Sequence, residues 1–247
     1  DVIRRNPFDF KLVDVVSNDS QKRIAMTEEQ QTLWMDFIRN DKTYCKYYDE
    51  FVVLLGTGMR VSEFCGLTKA DLDFAGRKIR VDHQLVRERG GKYYVEKTKT
   101  ECGCRYIPMT DEVYRSLQNI LSRRKRVKTE TIIDGYSGFL LLDKNDSPKV
   151  ALHIDNEMRW AMKKYQKLPP DKPLPHITPH VFRHTFCTNM ANAGMDIKTL
   201  QYVMGHSDVG VTLNVYTHAS YDRAAEQMAK IIDFKGLAAP EPQRKSG

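Results

Sequence analysis

The stretch from Pro175 to His218 carries so much helix punctuation that it leaves the chain few ways to fold there. Thr178 suits a helix N-cap, and Pro179 falls at the first helical position, where its missing N–H costs nothing. Gly194 supplies the exit. Inside that helix His180 and Arg183 are three residues apart and share a face, while Phe182 and Phe186 turn elsewhere to pack. Asp196 caps a second helix with Ile197, Leu200 and Val203 on its apolar side. Gly205 closes it and His206 follows at once. Ser207 or Asp208 opens a third short helix that ends near Tyr216. A His–Arg pair, a His at a helix exit and a Tyr on the next helix form a set suited to chemistry on a phosphate.

Upstream, Thr27 and Gln30 make a capping box that opens a helix with Leu33, Trp34, Phe37 and Ile38 inward. A second apolar helix runs roughly from Tyr44 to Leu55 and stops at Gly56. The turn T-G-M-R then feeds a short helix with Arg60 at its start and Glu63 one turn on. From Lys78 to Met109 the period falls to two. Ile79, Val81 and Leu85 alternate, Gly90 and Gly91 turn, Tyr93 and Val95 begin a second strand, and Arg105 to Met109 make a third. Thr110 caps a helix running into S-R-R-K-R-V-K at 122–128. Residues 153–167 read as a helix with Met158, Trp160, Ala161 and Tyr165 in the core, and five prolines between 169 and 179 lead to His180. The fold class is therefore α+β: a mainly helical domain over 26–235 with a small three-stranded antiparallel sheet. Residues 1–25 lack a period and read as a linker, 219–233 look amphipathic, and 236–247 form a Pro- and charge-rich tail that frays.

Composition narrows the function classes. A hydrophobic content of 41% with 10% aromatics is that of a folded globular chain. The formal charge of +7 favours a polyanionic partner without establishing one. Five cysteines without a secretory leader point to a reducing, cytoplasmic compartment. No apolar run approaches membrane-spanning length. Because the sequence begins at Asp1, it reads as a fragment.

The wording H-V-F-R-H, then M-G-H-S and N-V-Y-T-H, resembles the C-terminal catalytic half of the tyrosine recombinase, or phage-integrase-type, family. T-G-M-R-V-S-E at 57–63 resembles that family's first arginine motif. K-T-E-C-G-C-R-Y-I-P-M at 99–109 resembles its lysine-bearing hairpin. The likeness covers roughly residues 26–225 and is similar above all to integrases of conjugative transposons. It implies a tyrosine-recombinase catalytic-domain fold, with residues 1–25 linking to a smaller DNA-binding region.

The resemblance implies Arg60, Lys99, His180, Arg183, His206 and Tyr216 as the catalytic set, with Glu63 buttressing Arg60. Guanidinium suits a phosphate clamp because its planar fork binds oxygens in pairs and stays charged. Taken alone, Arg60 reads first as a surface arginine paired with Glu63, and the other motifs reverse that order. Lys99 matches the family register as general acid, and Lys97 is the reserve in the same lysine-rich tip, which by itself is a solvated strand edge. His180 would take the phenol proton from Tyr216. Lys97, Arg105, Arg123, Arg124, Lys125, Arg126 and His184 are candidates for touching DNA, although 123–126 suit a solvated helix end equally. Cys102 and Cys104 flank Gly103 without a second ligand pair, so they read as turn residues and no metal or other cofactor is assigned. The implied partners are double-stranded DNA at a recombination site and further copies of the chain, as a homotetramer docked through the C-terminal helix. An accessory excision factor is a candidate partner, and no membrane is involved.

Two other readings compete. A type IB topoisomerase would use the same chemistry to nick and reseal one strand. A helix-turn-helix regulator over 178–218 would bind DNA without cutting it, leaving Arg60, Lys99 and Tyr216 without a purpose.

Overall fold

Helix caps set the element boundaries in this computed structural model, which describes residues 25–88, 90–97, 104–168, 174–206, 210 and 212–213. Thr27 and Gln30 exchange the two capping-box hydrogen bonds, at 3.2 and 3.0 Å, and open α1 (Glu28–Asn40). A 3-10 turn (Cys45–Tyr47) precedes α2 (Tyr48–Thr57), which leads into the short α3 (Val61–Gly66). After the strands come α4 (Asp111–Arg123), α5 (Ala151–Tyr165), α6 (Pro179–Asn192) and α7 (Ile197–Met204). The expected caps are in place on the last two. Thr178 Oγ1 accepts from the Val181 amide at 3.2 Å, and Asp196 Oδ1 accepts from the Thr199 amide at 2.9 Å.

The core is organised on α2, which packs between α4 and α6. Its Phe51, Val53 and Leu54 are almost wholly buried. Phe51 stacks on Trp34 at 6.5 Å between ring centroids and meets Phe182 edge-on at 5.9 Å, which ties α1, α2 and α6 into one aromatic cluster. The Met26 amide donates to buried Thr185 Oγ1 at 3.0 Å and fixes the segment just before α1 on α6. A buried ion group lies at the other side of α2. Lys149 Nζ lies 2.8 Å from Glu50 and 3.0 Å from Glu157. Burial and the neighbouring Glu50 charge raise the Glu157 carboxyl to about 7.

Several details differ from the sequence expectations. Gly56 does not stop α2, which runs to Thr57 and leaves through Gly58 at φ +61°. Gly56 instead permits close packing, since a Cβ there would stand 2.7 Å from Val113 Cγ2 of α4. The expected single three-stranded sheet is two sheets. In one, β1 (Leu72–Asp73), β2 (Lys78–Val81) and β5 (Arg105–Pro108) are antiparallel. In the other, β3 (His83–Arg87) pairs with β4 (Tyr93–Lys97). Inward alternation continues through Ile79, Val81, His83 and Leu85, but the partner changes at Asp82. The reason is register: the turn at 88–92 aligns His83 with Lys97, while Val81 lies opposite Arg105.

Trp160, expected in the core, is 54% exposed with Lys163 over its ring, because the inward stripe of α5 is Ile154, Met158, Ala161, Met162 and Tyr165. Helix α4 ends at Arg123 and does not continue to residue 128. Arg124 adopts an extended backbone and folds its side chain back onto the Phe139 carbonyl at 2.7 Å and Glu130 at 2.6 Å. The expected linker before residue 25, the amphipathic stretch at 219–233 and the tail lie outside the described residues.

Gly58 is a sensitive point of this frame. A Cβ there would lie 2.3 Å from the Phe186 ring at a left-handed φ. Strain in that conformation and overpacking each cost about 1–3 kcal/mol, so Gly58→Ala is expected to lower unfolding stability by roughly 2–4 kcal/mol. Urea denaturation measures it, and a loss below about 1 kcal/mol would contradict this packing account.

Candidate active site

The end of α7 draws three arginines together. A helix leaves its last carbonyls without partners, and here three successive ones, of Val203, Met204 and Gly205, each accept from a guanidinium. Arg105 Nε reaches Val203 O at 2.7 Å, Arg183 Nη2 reaches Met204 O at 2.6 Å, and Arg60 Nη2 reaches Gly205 O at 3.0 Å. The three cations come from β5, α6 and the start of α3, so the helix end gathers segments that are distant in sequence. Cations at a helix C-terminus also complement its partial negative charge.

One carboxylate organises two of them. Glu63, 2% exposed, accepts from the Arg60 amide at 2.8 Å and from Arg60 Nη1 at 2.8 Å. Its other lone pairs take Arg105 Nη1 at 3.2 Å and Nη2 at 2.8 Å. Burial alone would raise the Glu63 carboxyl. The hydrogen bonds and charge of Arg105, then those of Arg60, outweigh burial and hold the group below its usual range. Arg183 is anchored separately, with Nη1 on the Gly58 carbonyl at 2.6 Å. Burial, followed by the charges of Arg60 and Arg105, lowers its guanidinium to about 10, so it remains a cation at neutral pH.

His206 leaves α7 immediately after the left-handed Gly205, and its Nδ1 lies 3.0 Å from buried Thr212 Oγ1. Burial first, and then the charges of Arg183, Arg60 and Arg105, lower the imidazole to about 4. It is therefore neutral at pH 7. A neutral ring whose Nδ1 accepts the Thr212 hydroxyl presents Nε2–H as a donor.

The structure thus joins Arg60, Glu63, Arg183 and His206. His180 occupies the first turn of α6 and is exposed, one turn before Arg183. Burial raises the nearby Asp155 carboxyl above its usual range, and interaction with His180 offsets that only in part. Lys97 ends β4, exposed and opposite His83. Lys99 and Tyr216 lie outside the described residues, as does Cys102.

Two of the expected DNA contacts are corrected by burial. Arg105 is 1% exposed and its guanidinium is spent on Glu63 and Val203. The Arg124 side chain is 4% exposed and held by Glu130. Arg123 is half exposed but paired with Asp49, Lys125 pairs with Asp146 at 3.2 Å, Arg126 is exposed, and His184 is half-buried. The carbonyl partners at Gly58, Met204 and Gly205, and Thr212 beside His206, were not foreseen. Only the two glycines gave a signal, as turn residues.

Among the described residues, Asp71, Asp82 and His83 have donor atoms within 4.8 Å of one another. These atoms already have partners. Arg80 holds Asp71 Oδ1 at 2.8 Å, Thr68 holds Oδ2, Asp82 takes His83 Nδ1, and His83 Nε2 meets the Gly66 carbonyl at 2.8 Å. The group brackets the end of α3. A cavity of ≈ 890 Å³ lined by Lys46, Arg87, Lys144 and His153 lies elsewhere and includes none of the arginine cluster.

The family model described as the phage integrase family matches residues 25–223. The transposase of transposon Tn916 from Enterococcus faecalis is 49% identical over 231 residues, which cover 94% of this chain and 56% of that protein. The tyrosine recombinase XerA of Thermococcus onnurineus is 29% identical over 185 residues, covering 74% of this chain and 55% of that protein. The chain thus spans about half the length of these relatives. Among solved structures, the Tn1549 transposon integrase in complex with circular intermediate DNA superposes with a TM-score of 0.84 at 47% identity. The match covers 92% of this chain and 73% of that one.

The depressed His206 value has a definite pH consequence. An unfolded histidine titrates near 6.5, so between there and about 4 the unfolded chain binds the proton that the folded one refuses. The contribution is complete above pH 6.5 and is lost as pH falls toward 4. NMR titration of the His206 ring is expected to give a midpoint near 4, and His206→Gln should flatten the fall in stability across that window. A midpoint near 6.5 would contradict the site electrostatics.

Proposed function

Because the chain belongs to the phage integrase family, we propose that it is the catalytic part of a site-specific recombinase acting on duplex DNA. In this reading it cuts and rejoins strands through a covalent 3′-phosphotyrosine and serves a mobile element of the conjugative-transposon kind. The observation that carries the proposal is the concentration of Arg60, Arg183 and His206 at one helix end, around a single buried carboxylate.

The cluster suits a phosphodiester that becomes pentavalent. A guanidinium has five N–H donors, and the side chains of Arg60 and Arg183 each use two on protein oxygens, leaving three each for the non-bridging oxygens. Donors fixed in advance stabilise charge that grows in the transition state, each by about 3–4 kcal/mol. Neutral His206 adds one hydrogen bond without requiring a proton to leave. In the proposed step Tyr216 Oη attacks phosphorus and the P–O5′ bond breaks. His180 takes the phenol proton and Lys99 gives a proton to the departing O5′. A free tyrosine has pKa about 10, so ionising it at neutral pH costs roughly 4 kcal/mol, which the base and the adjacent arginines must offset. The ester retains the energy of the broken bond, and a 5′-hydroxyl from another strand reverses the step. Exchange between two duplexes takes four such sites, hence a homotetramer on DNA.

A suicide duplex that traps the cleaved strand, run on a denaturing gel, tests this reading. The chain is expected to form a protein–DNA adduct that Tyr216→Phe abolishes while retaining DNA affinity. That affinity should fall steeply with salt, because phosphates dominate the contact. An adduct that persists in Tyr216→Phe would overturn the assignment, and cleavage products resealed only on the same strand would replace recombination with topoisomerase action.

A further inference from the structure

Arg105 is a guanidinium where the strand pattern calls for an apolar side chain. Strand β5 alternates, with Arg105 and Ile107 inward and Tyr106 outward. A buried ion pair adds little net stability over a well-packed apolar residue of similar volume, so folding alone does not explain an arginine there. What the arginine adds is geometry. Its planar fork chelates both oxygens of Glu63, at 3.2 and 2.8 Å, while Nε takes the Val203 carbonyl at 2.7 Å.

We infer that Arg105 is a positioning residue for the phosphate clamp, acting through Glu63 on Arg60 and through Val203 on the α7–His206 turn. The inference deepens the recombinase reading and rests on it for its kinetic readout. Glu63 Oε1 accepts from both Arg60 Nη1 and Arg105 Nη1, and Oε2 accepts from the Arg60 amide and Arg105 Nη2. Without Arg105 the carboxylate has unused lone pairs facing only Arg60. It would chelate that guanidinium and withdraw donors meant for phosphate. The helix end is fitted to the same side chain. A Cβ on Gly205 would stand 2.7 Å from Arg105 Nη1, so the glycine leaves room for the fork beneath the α7 terminus.

The test uses the 247-residue chain with Arg105→Lys, Arg105→Met, Arg60→Lys and the double Arg60→Lys/Arg105→Lys. Single-turnover cleavage of a suicide duplex, DNA affinity and thermal unfolding are measured for each. Both Arg105 variants are expected to cleave roughly 10- to 100-fold slower at saturating DNA, the cost of a clamp misplaced by about an ångström. Affinity should stay within about threefold, a split that a merely structural role would not produce. Lysine should do no better than methionine, because a point charge does not replace the fork. If Arg105 works through Arg60, the double variant is no slower than Arg60→Lys alone.

Cleavage by Arg105→Lys within about twofold of wild type, losses that multiply in the double, or affinity falling in step with rate would each overturn the inference. If Arg105→Met fails to fold, Arg105→Lys carries the test. A wild-type chain that forms no adduct removes the recombinase reading instead. The Arg60 Nε–H NMR signal then decides: it shifts in Arg105→Lys if the relay exists and stays in place if it does not.

Discussion

Three guanidinium groups lie on three consecutive carbonyls at the end of α7, and the site depends on that arrangement. Each does two things at once: it satisfies a backbone oxygen that the helix leaves unpaired, and it holds a cation in a fixed place. The cost is electrostatic. Glu63 sets one carboxylate against three arginines, two of them buried. Burial and then this excess lower Arg183 to about 10 and His206 to about 4. A buried surplus of positive charge is relieved by an anion, which is the property the proposed phosphate clamp uses.

Much of the frame for this cluster was legible in the residues. The Thr178-Pro179 start, the Asp196 cap and the Gly205 exit set α6 and α7, and with them the positions of Arg183 and His206. Glu63 one turn after Arg60 was equally readable, because a carboxylate at that spacing meets the helix start. The carbonyl partners were not readable, since any residue supplies a carbonyl and only the tertiary fold decides which oxygen faces which guanidinium.

Other misses had a signal that a charge-based reading overlooked. Arg105 is in phase with Ile107, and a strand's period of two places both on the inner face. The positive charge suggested solvent or DNA, yet the phase indicated burial, and the phase prevailed because Glu63 was there to receive it. Trp160 shows the converse. Its size suggested the core, but it lies two residues past Met158 and off the stripe that continues through Ala161, Met162 and Tyr165. The split of the sheet at Asp82 was beyond local reading, because alternation persists across the break while the partner strand changes.

The field that fixes the arginines also divides the chemical roles. Burial first, and then the charges of the arginines, keep His206 from holding an extra proton near neutrality, so it is a neutral ring and not a further cation. Proton transfer needs a group whose two protonation states are closer in free energy at the working pH. Such a group belongs at the margin of the field. In the proposed mechanism that group is His180, exposed on the first turn of α6 and one helical turn from Arg183. Clamping and proton transfer thus ask for opposite environments, and the first turn of α6 offers both, with Arg183 buried and His180 exposed three residues earlier.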